Sequence, residues 1–176
     1  ILNAIAEGKI ESGDEKKLNA LKGETMAVIA LCQFDLTRCF GYPYTKDKGA
    51  SLGAPLIDHL VGTYENPPRS TVAQAYDFII ETLEEAVTLM SEEKNNGRMN
   101  KYAARALLAR IYLYHDDNRK AFDLADQLIK DADTSGSYAL YPHEKYVAAW
   151  SVEAKFGSES FFEIANSVDD TPGRDS

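Results

Sequence analysis

Side-chain oxygens fall at Asp131, Asp133 and Ser135, with Gly136 next, which is the opening order of a calcium-binding loop. Such a loop closes on a bidentate Glu at its twelfth position, and that position here is Pro142. The strongest ligand is missing, so the stretch reads as a polar turn that ends a helix. His59, His115 and His143 are scattered, and none pairs with another or with Cys32 or Cys39 at a zinc-ligand spacing. No metal or cofactor is expected. Glu81, Glu84 and Glu85 supply carboxylates of the kind acid–base chemistry uses. They share the polar side of an amphipathic pattern, and solvated surface is the plainer reading. No nucleophile elbow, phosphate loop or dinucleotide fingerprint occurs, so no catalytic residue is assigned and no enzymatic activity is expected.

Aromatic residues are the remaining candidates for ligand contact. Tyr42, Tyr44 and Tyr64 lie in a long loop, while Tyr138, Tyr141, Tyr146 and Trp150 lie in the C-terminal flank. Flat rings stack on apolar ligand faces, and Tyr adds a hydroxyl that donates and accepts. Because pockets use only a few well-placed groups, most of these rings are expected to pack. Tyr42, Tyr44, Tyr64 and Trp150 are retained as candidate ligand-binding residues.

The elements that must position these rings are mainly helices. A first helix is expected from about 14 to 40, with Leu18, Leu21, Val28, Cys32, Leu36 and Cys39 as its buried stripe and Gly41 just past its end. Residues 41–70 lose that pattern among Gly, Pro, Tyr and Ser. So long a connection is functional or wraps another part of the structure. A second helix, about 71 to 92, opens on a capping box of Thr71 and Gln74 and buries Val72, Tyr76, Ile79, Ile80, Leu83, Ala86, Val87 and Met90. Asn95, Asn96 and Gly97 stop it. A third, about 101 to 115, is capped by Asn100 and is apolar nearly all round, so burial on every side is expected. A fourth, about 119 to 132, has Asn118 as its cap and buries Ala121, Phe122, Leu124, Ala125, Leu128 and Ile129. A short helix near 145–150 and a strand at 160–165 complete the reading.

The 176 residues carry a net charge of −9, with 44% hydrophobic and 27% charged side chains. That acidity, unbroken by any basic cluster, argues against nucleic acid or anionic lipid as a partner. No apolar run reaches the ~18–20 residues of a membrane span. The opening Ile1-Leu2-Asn3-Ala4-Ile5 reads as the last turns of a helix, and Thr171 to Ser176 as loop, so the chain is expected to be a piece of a longer protein. Cys32 and Cys39, seven residues apart on one helix, stand about 10 Å apart along its axis. A disulfide spans only about 4.4–6.8 Å between Cα atoms, so two buried free thiols are expected.

From Gly97 to Lys130 the chain resembles one tetratricopeptide unit, two antiparallel helices with a period of about 34 residues. Leu108-Ala109, Tyr112 and Ala121 stand where that repeat needs small or flat side chains, while Arg105 and Ala125 replace its usual aromatics. Ala109 and Ala121 are then the close contacts between the third and fourth helices. Fold class is therefore all-α, a tetratricopeptide-like helical core with long irregular loops, forming one domain over 1–176.

Four blocks extend the resemblance. They are Gly23-Glu24 with Phe34-Asp35-Leu36, Arg38 and Phe40-Gly41; Pro68-Arg69-Ser70-Thr71 running into Tyr76-Asp77-Phe78-Ile79-Ile80 and Leu83-Glu84-Glu85-Ala86; Gly97-Arg98 with Ala103-Ala104, Leu107 to Arg110 and Tyr112-Leu113-Tyr114; and Glu159-Ser160 with Phe162-Glu163-Ile164. Together they resemble the central, repeat-bearing part of the SusD/RagB-like glycan-capture lipoproteins of Bacteroidetes. Met26-Ala27-Val28 and Ala30-Leu31 depart from that family's first block. The resemblance implies a binder, not a catalyst, held on the outer-membrane surface by an N-terminal lipid anchor. It also implies an oligosaccharide ligand and a SusC-like TonB-dependent transporter as partner, the repeats contacting the transporter and loops elsewhere holding most of the glycan. The rival reading is an intracellular tetratricopeptide-type adaptor cupping a peptide, which has no reason to carry the flanking blocks.

Overall fold

The computed structural model describes residues 1–10, 13–57, 59–150 and 155–164. Among these residues five α-helices build the fold: α1 (Leu2–Ala6), α2 (Glu15–Phe40), α3 (Val72–Leu89), α4 (Lys101–Tyr114) and α5 (Asn118–Ser135). Strands β1 (Leu52–Pro55) and β2 (Arg69–Thr71) pair antiparallel between α2 and α3. The main core lies between α2, α3 and α4, around Phe34, Ile79, Leu83 and Ile111, each at most 1% exposed.

Helix starts follow the expected chemistry. Asp14 accepts from the Lys17 amide, Asn100 from the Ala103 amide, and Thr71 and Gln74 form a reciprocal capping box. At α5 the cap is Asp117, one residue before the expected Asn118, and Gly136 ends the helix in the left-handed region at φ 66°. Helix α3 stops at Leu89, short of the expected 92, because Met90 turns to an extended backbone.

The buried face of α2 is not the expected one. Gly23, Met26, Ala27, Ala30, Gln33, Phe34 and Thr37 point inward, while Val28, Cys32, Leu36 and Cys39 are exposed. Both cysteines are therefore solvent-facing free thiols, not buried ones. Close approach to α3 explains the reversal. A Cβ on Gly23 would stand 2.7 Å from Met90 Cγ and 2.9 Å from the Ala86 carbonyl oxygen, so only small residues fit along this line. The polar pair is satisfied: Gln33 Nε2 donates to the Pro55 carbonyl (3.1 Å) and the Thr37 hydroxyl to the Gln33 carbonyl (2.7 Å).

Two further faces differ. Helix α4 buries Tyr102, Ala103, Ala104, Leu107, Leu108, Ile111 and Tyr112 but leaves Leu113 and Tyr114 exposed, since neighbours cover it on less than its full circumference. Helix α5 packs on α4 through Ala121, Leu128 and Ala132, with Phe122 and Ile129 on its open side. Of the two expected close contacts, Ala121 is buried and Ala109 half-buried. Where the repeat usually has an aromatic, Arg105 reaches Asp131 at 2.7 Å, with only 14% of its side chain exposed. An ion pair thus ties α4 to α5 in place of a ring.

The 41–70 connection wraps the helices over part of its length. Arg69 Nε donates to the Gly53 carbonyl (2.7 Å), and its Nη2 to those of Leu52 (3.0 Å) and Phe40 (3.3 Å). One guanidinium therefore holds the end of α2 against β1. Ser70 donates to the Ala54 carbonyl, and Thr71 starts α3. The Pro-Arg-Ser-Thr block is a clamp.

The C-terminal flank is less regular than expected. Residues 143–150 form two short 3₁₀ turns, His143–Lys145 and Ala148–Trp150. No strand forms over 160–164, where Phe161 packs into the aromatic group of Tyr102 and Tyr138 and Glu163 accepts from the amides of Phe156 (2.7 Å) and Gly157 (3.2 Å). Those side-chain and loop contacts take the place of a β ladder; Ala165 lies outside the described residues.

Candidate functional site

The four candidate rings do not converge on one pocket. Tyr44 is part of the packed structure, edge-on to Tyr76 at 5.6 Å and tilted against His115 at 4.2 Å. Burial pushes the Tyr76 hydroxyl up to about 12. Tyr42 is exposed, but the Lys46 ammonium sits 3.0 Å from its ring centroid and covers one face. Tyr64 is 95% exposed at the tip of the long loop, where His59 meets Glu65 at 2.6 Å. Trp150, 76% exposed, meets Tyr146 edge-on at 6.2 Å, and exposed Val147 lies between them in sequence. This pair is an aromatic corner with an accessible indole, of the kind that stacks on a flat apolar ligand face.

Tyr138 is structural. Its hydroxyl accepts from Asn100 Nδ2 at 2.7 Å, while Asn100 also donates to the Glu93 carbonyl (3.2 Å) and accepts from the Ala103 amide (3.0 Å). Burial raises the Tyr138 pKa. The network locks the loop between α3 and α4.

That locked loop forms one wall of a groove of about 960 Å³, which nothing in the residue pattern had suggested. The first turns of α2 give the opposite wall, with Lys16 and Lys17, and Leu21, Leu89, Met90 and Met99 form the floor. Across one end, Arg98 Nε donates to both Glu24 carboxylate oxygens (3.2 and 3.0 Å), Arg98 Nη2 joins them, and Glu24 also accepts from the Met99 amide (3.1 Å). Glu24 and Arg98 belong to different sequence blocks, 74 residues apart. Each block was visible, but only the packing of α2 beside α3 shows that they meet.

The carboxylates first weighed for acid–base work are placed elsewhere. Glu81, Glu84 and Glu85 are all exposed, as expected of a solvated face; within it Glu84 accepts from the Tyr112 hydroxyl and Glu85 pairs with Lys22 at 2.9 Å, each linking two helices. Burial and Glu84 together raise the Tyr112 pKa. Asp131 and Ser135 lie in the last turns of α5, not in a metal loop, and Asp131 is committed to Arg105 and Gln127. Among the described residues, no group of three or more His, Cys, Asp or Glu side chains is arranged to hold a metal ion. No helix among them is long and apolar enough to cross a membrane.

Comparison with known proteins gives the family of this helical core with its clamped hairpin and Glu24–Arg98 link. The model of the SusD-like family described as "Starch-binding associating with outer membrane" matches residues 1–113. A SusD superfamily structure from Bacteroides thetaiotaomicron is 40% identical, with a TM-score of 0.88 over 96% of this chain and 36% of that one. A structure from Bacteroides vulgatus is 41% identical, with a TM-score of 0.85 over 95% of this chain and 38% of the other. A laminarin-binding SusD-like protein, at 23% identity and a TM-score of 0.63 over 85% of this chain and 31% of its own length, shares the fold. No curated protein matches. The chain belongs to the SusD-like family and spans 36–38% of the length of the two Bacteroides structures that are 40–41% identical to it.

Proposed function

We propose that this chain is part of a cell-surface protein that captures oligosaccharides or other nutrients for import, working with a SusC-like TonB-dependent transporter and held at the outer membrane by an N-terminal lipid anchor. The observation that carries the reading is the family match, joined to 40% identity over nearly the whole chain. The structure supports it in kind: an exposed Trp150–Tyr146 corner suits stacking on a sugar ring. An adaptor reading gains nothing from the Pro-Arg-Ser-Thr clamp or the Phe161 packing, which serve this fold rather than a peptide groove.

Isothermal titration of the protein with malto- and laminari-oligosaccharides tests the reading. Binding without release of reducing ends is the expected result. Trp150→Ala should weaken it about tenfold, the loss of ~1.4 kcal/mol that one good stacking contact supplies. Hydrolysis of the panel, or no binding to any member, would overturn the reading.

A further inference from the structure

We infer that the groove between the start of α2 and the α3–α4 loop is a second glycan subsite, taking a short neutral oligosaccharide. This rests on the glycan-capture reading above and adds a place on the helical core to it. Its volume of about 960 Å³ is at the upper end of ligand-sized sites. Half-buried Ala20, Leu21 and Leu89 give the groove an apolar side, a surface suited to the C–H face of a pyranose.

The walls decide the chemical class. Arg98 is spent on Glu24, Lys101 meets Glu92 at 3.3 Å, and Lys17 meets Asp14 at 3.6 Å. Among the described residues, the side chains of Lys16, Glu93 and Asn95 have no hydrogen-bond or ion-pair partner. One cation, one anion and one amide are left over. An acidic or basic ligand would find its charge matched by one and opposed by the other, with a desolvation cost unpaid. A sugar hydroxyl suits both, since it donates to a carboxylate and accepts from an ammonium or amide. An extended peptide would need a free sheet edge or an open apolar anchor pocket. The groove has no strand, and Met90 and Met99 are only 5% and 6% exposed. The loop is held before any ligand arrives by the Asn100 and Glu24–Arg98 bonds, which reduces the ordering cost of binding.

The test is titration of the protein and of its Asn95→Ala, Glu93→Ala and Trp150→Ala variants with neutral malto- and laminari-oligosaccharides and with an oligogalacturonate. Both groove positions are exposed, so melting curves should match the parent and folding is not at stake. The inference expects two binding events for a neutral oligosaccharide. One should weaken about tenfold in each groove variant, a lost hydrogen bond at about 1.4 kcal/mol, and stay intact in Trp150→Ala. Unchanged binding in both groove variants would overturn it while leaving glycan capture standing. So would preference for the galacturonate at the groove. Absence of binding by the parent to every oligosaccharide would remove the subsite and the glycan reading together.

Discussion

Gly23 carries the most specific structural demand in the chain. A methyl group there meets Met90 Cγ, which can move, and the Ala86 carbonyl, which cannot without displacing α3. Gly23→Ala is therefore expected to destabilise by about 1–3 kcal/mol despite the better helix propensity of Ala, as read by chemical denaturation. A variant as stable as the parent would mean that α2 and α3 are further apart than described. Ala121→Leu should cost a similar ~1–3 kcal/mol through overpacking against α4. Ala109→Leu should cost less, because Ala109 is only half-buried. The repeat motif placed both alanines at a helix contact. It did not rank them, since burial depends on where the loops and flanks settle.

At the scale of elements, local chemistry was legible and the choice of face was not. Capping side chains act within three residues, so Thr71 and Asn100 could be read directly from the residue order. Helix α2 went the other way. Its larger apolar residues suggested one stripe, whereas Gly23, Ala27 and Ala30 form the contact because the neighbour comes close. Residue size alone cannot report that proximity. Arg105 is similar: it looked like a degenerate repeat position until Asp131 proved to be its partner. The Arg105 hydrogen bond, with that of Gln127, holds the Asp131 pKa below the ordinary carboxylate value. A depressed folded pKa contributes stability above the unfolded value of about 3.9 and loses it as pH falls through the folded value. Arg105→Met should accordingly lower the melting temperature at pH 7. The gap from the parent should shrink steadily below about pH 4. A gap independent of pH would show that Arg105 acts through packing of its stem and not through the ion pair.

Taken as a whole, the molecule has a largely apolar core in the helices and a good deal of apolar surface outside it. Phe122 is 64% and Ile129 67% exposed on α5, one turn-pair apart on the same open side, while Ile79 and Leu83 are fully buried. Solved relatives are nearly three times longer than the matched region, since the chain covers 36–38% of them. Apolar side chains that remain exposed contribute little to folding, and surface changes away from caps and networks usually stay within about 0.5 kcal/mol. The double variant Phe122→Ser/Ile129→Ser should thus melt within about 2–4 °C of the parent. Leu83→Ala should cost about 2–5 kcal/mol through the cavity it leaves. The comparison separates two roles that hydrophobicity alone confuses. If the α5 double variant instead melts like Leu83→Ala, and the parent's melting temperature rises with protein concentration, then α5 is covered in solution by another copy of the chain. A small shift that is independent of concentration leaves the open side of α5 as free surface on a core that α2, α3 and α4 stabilise without it.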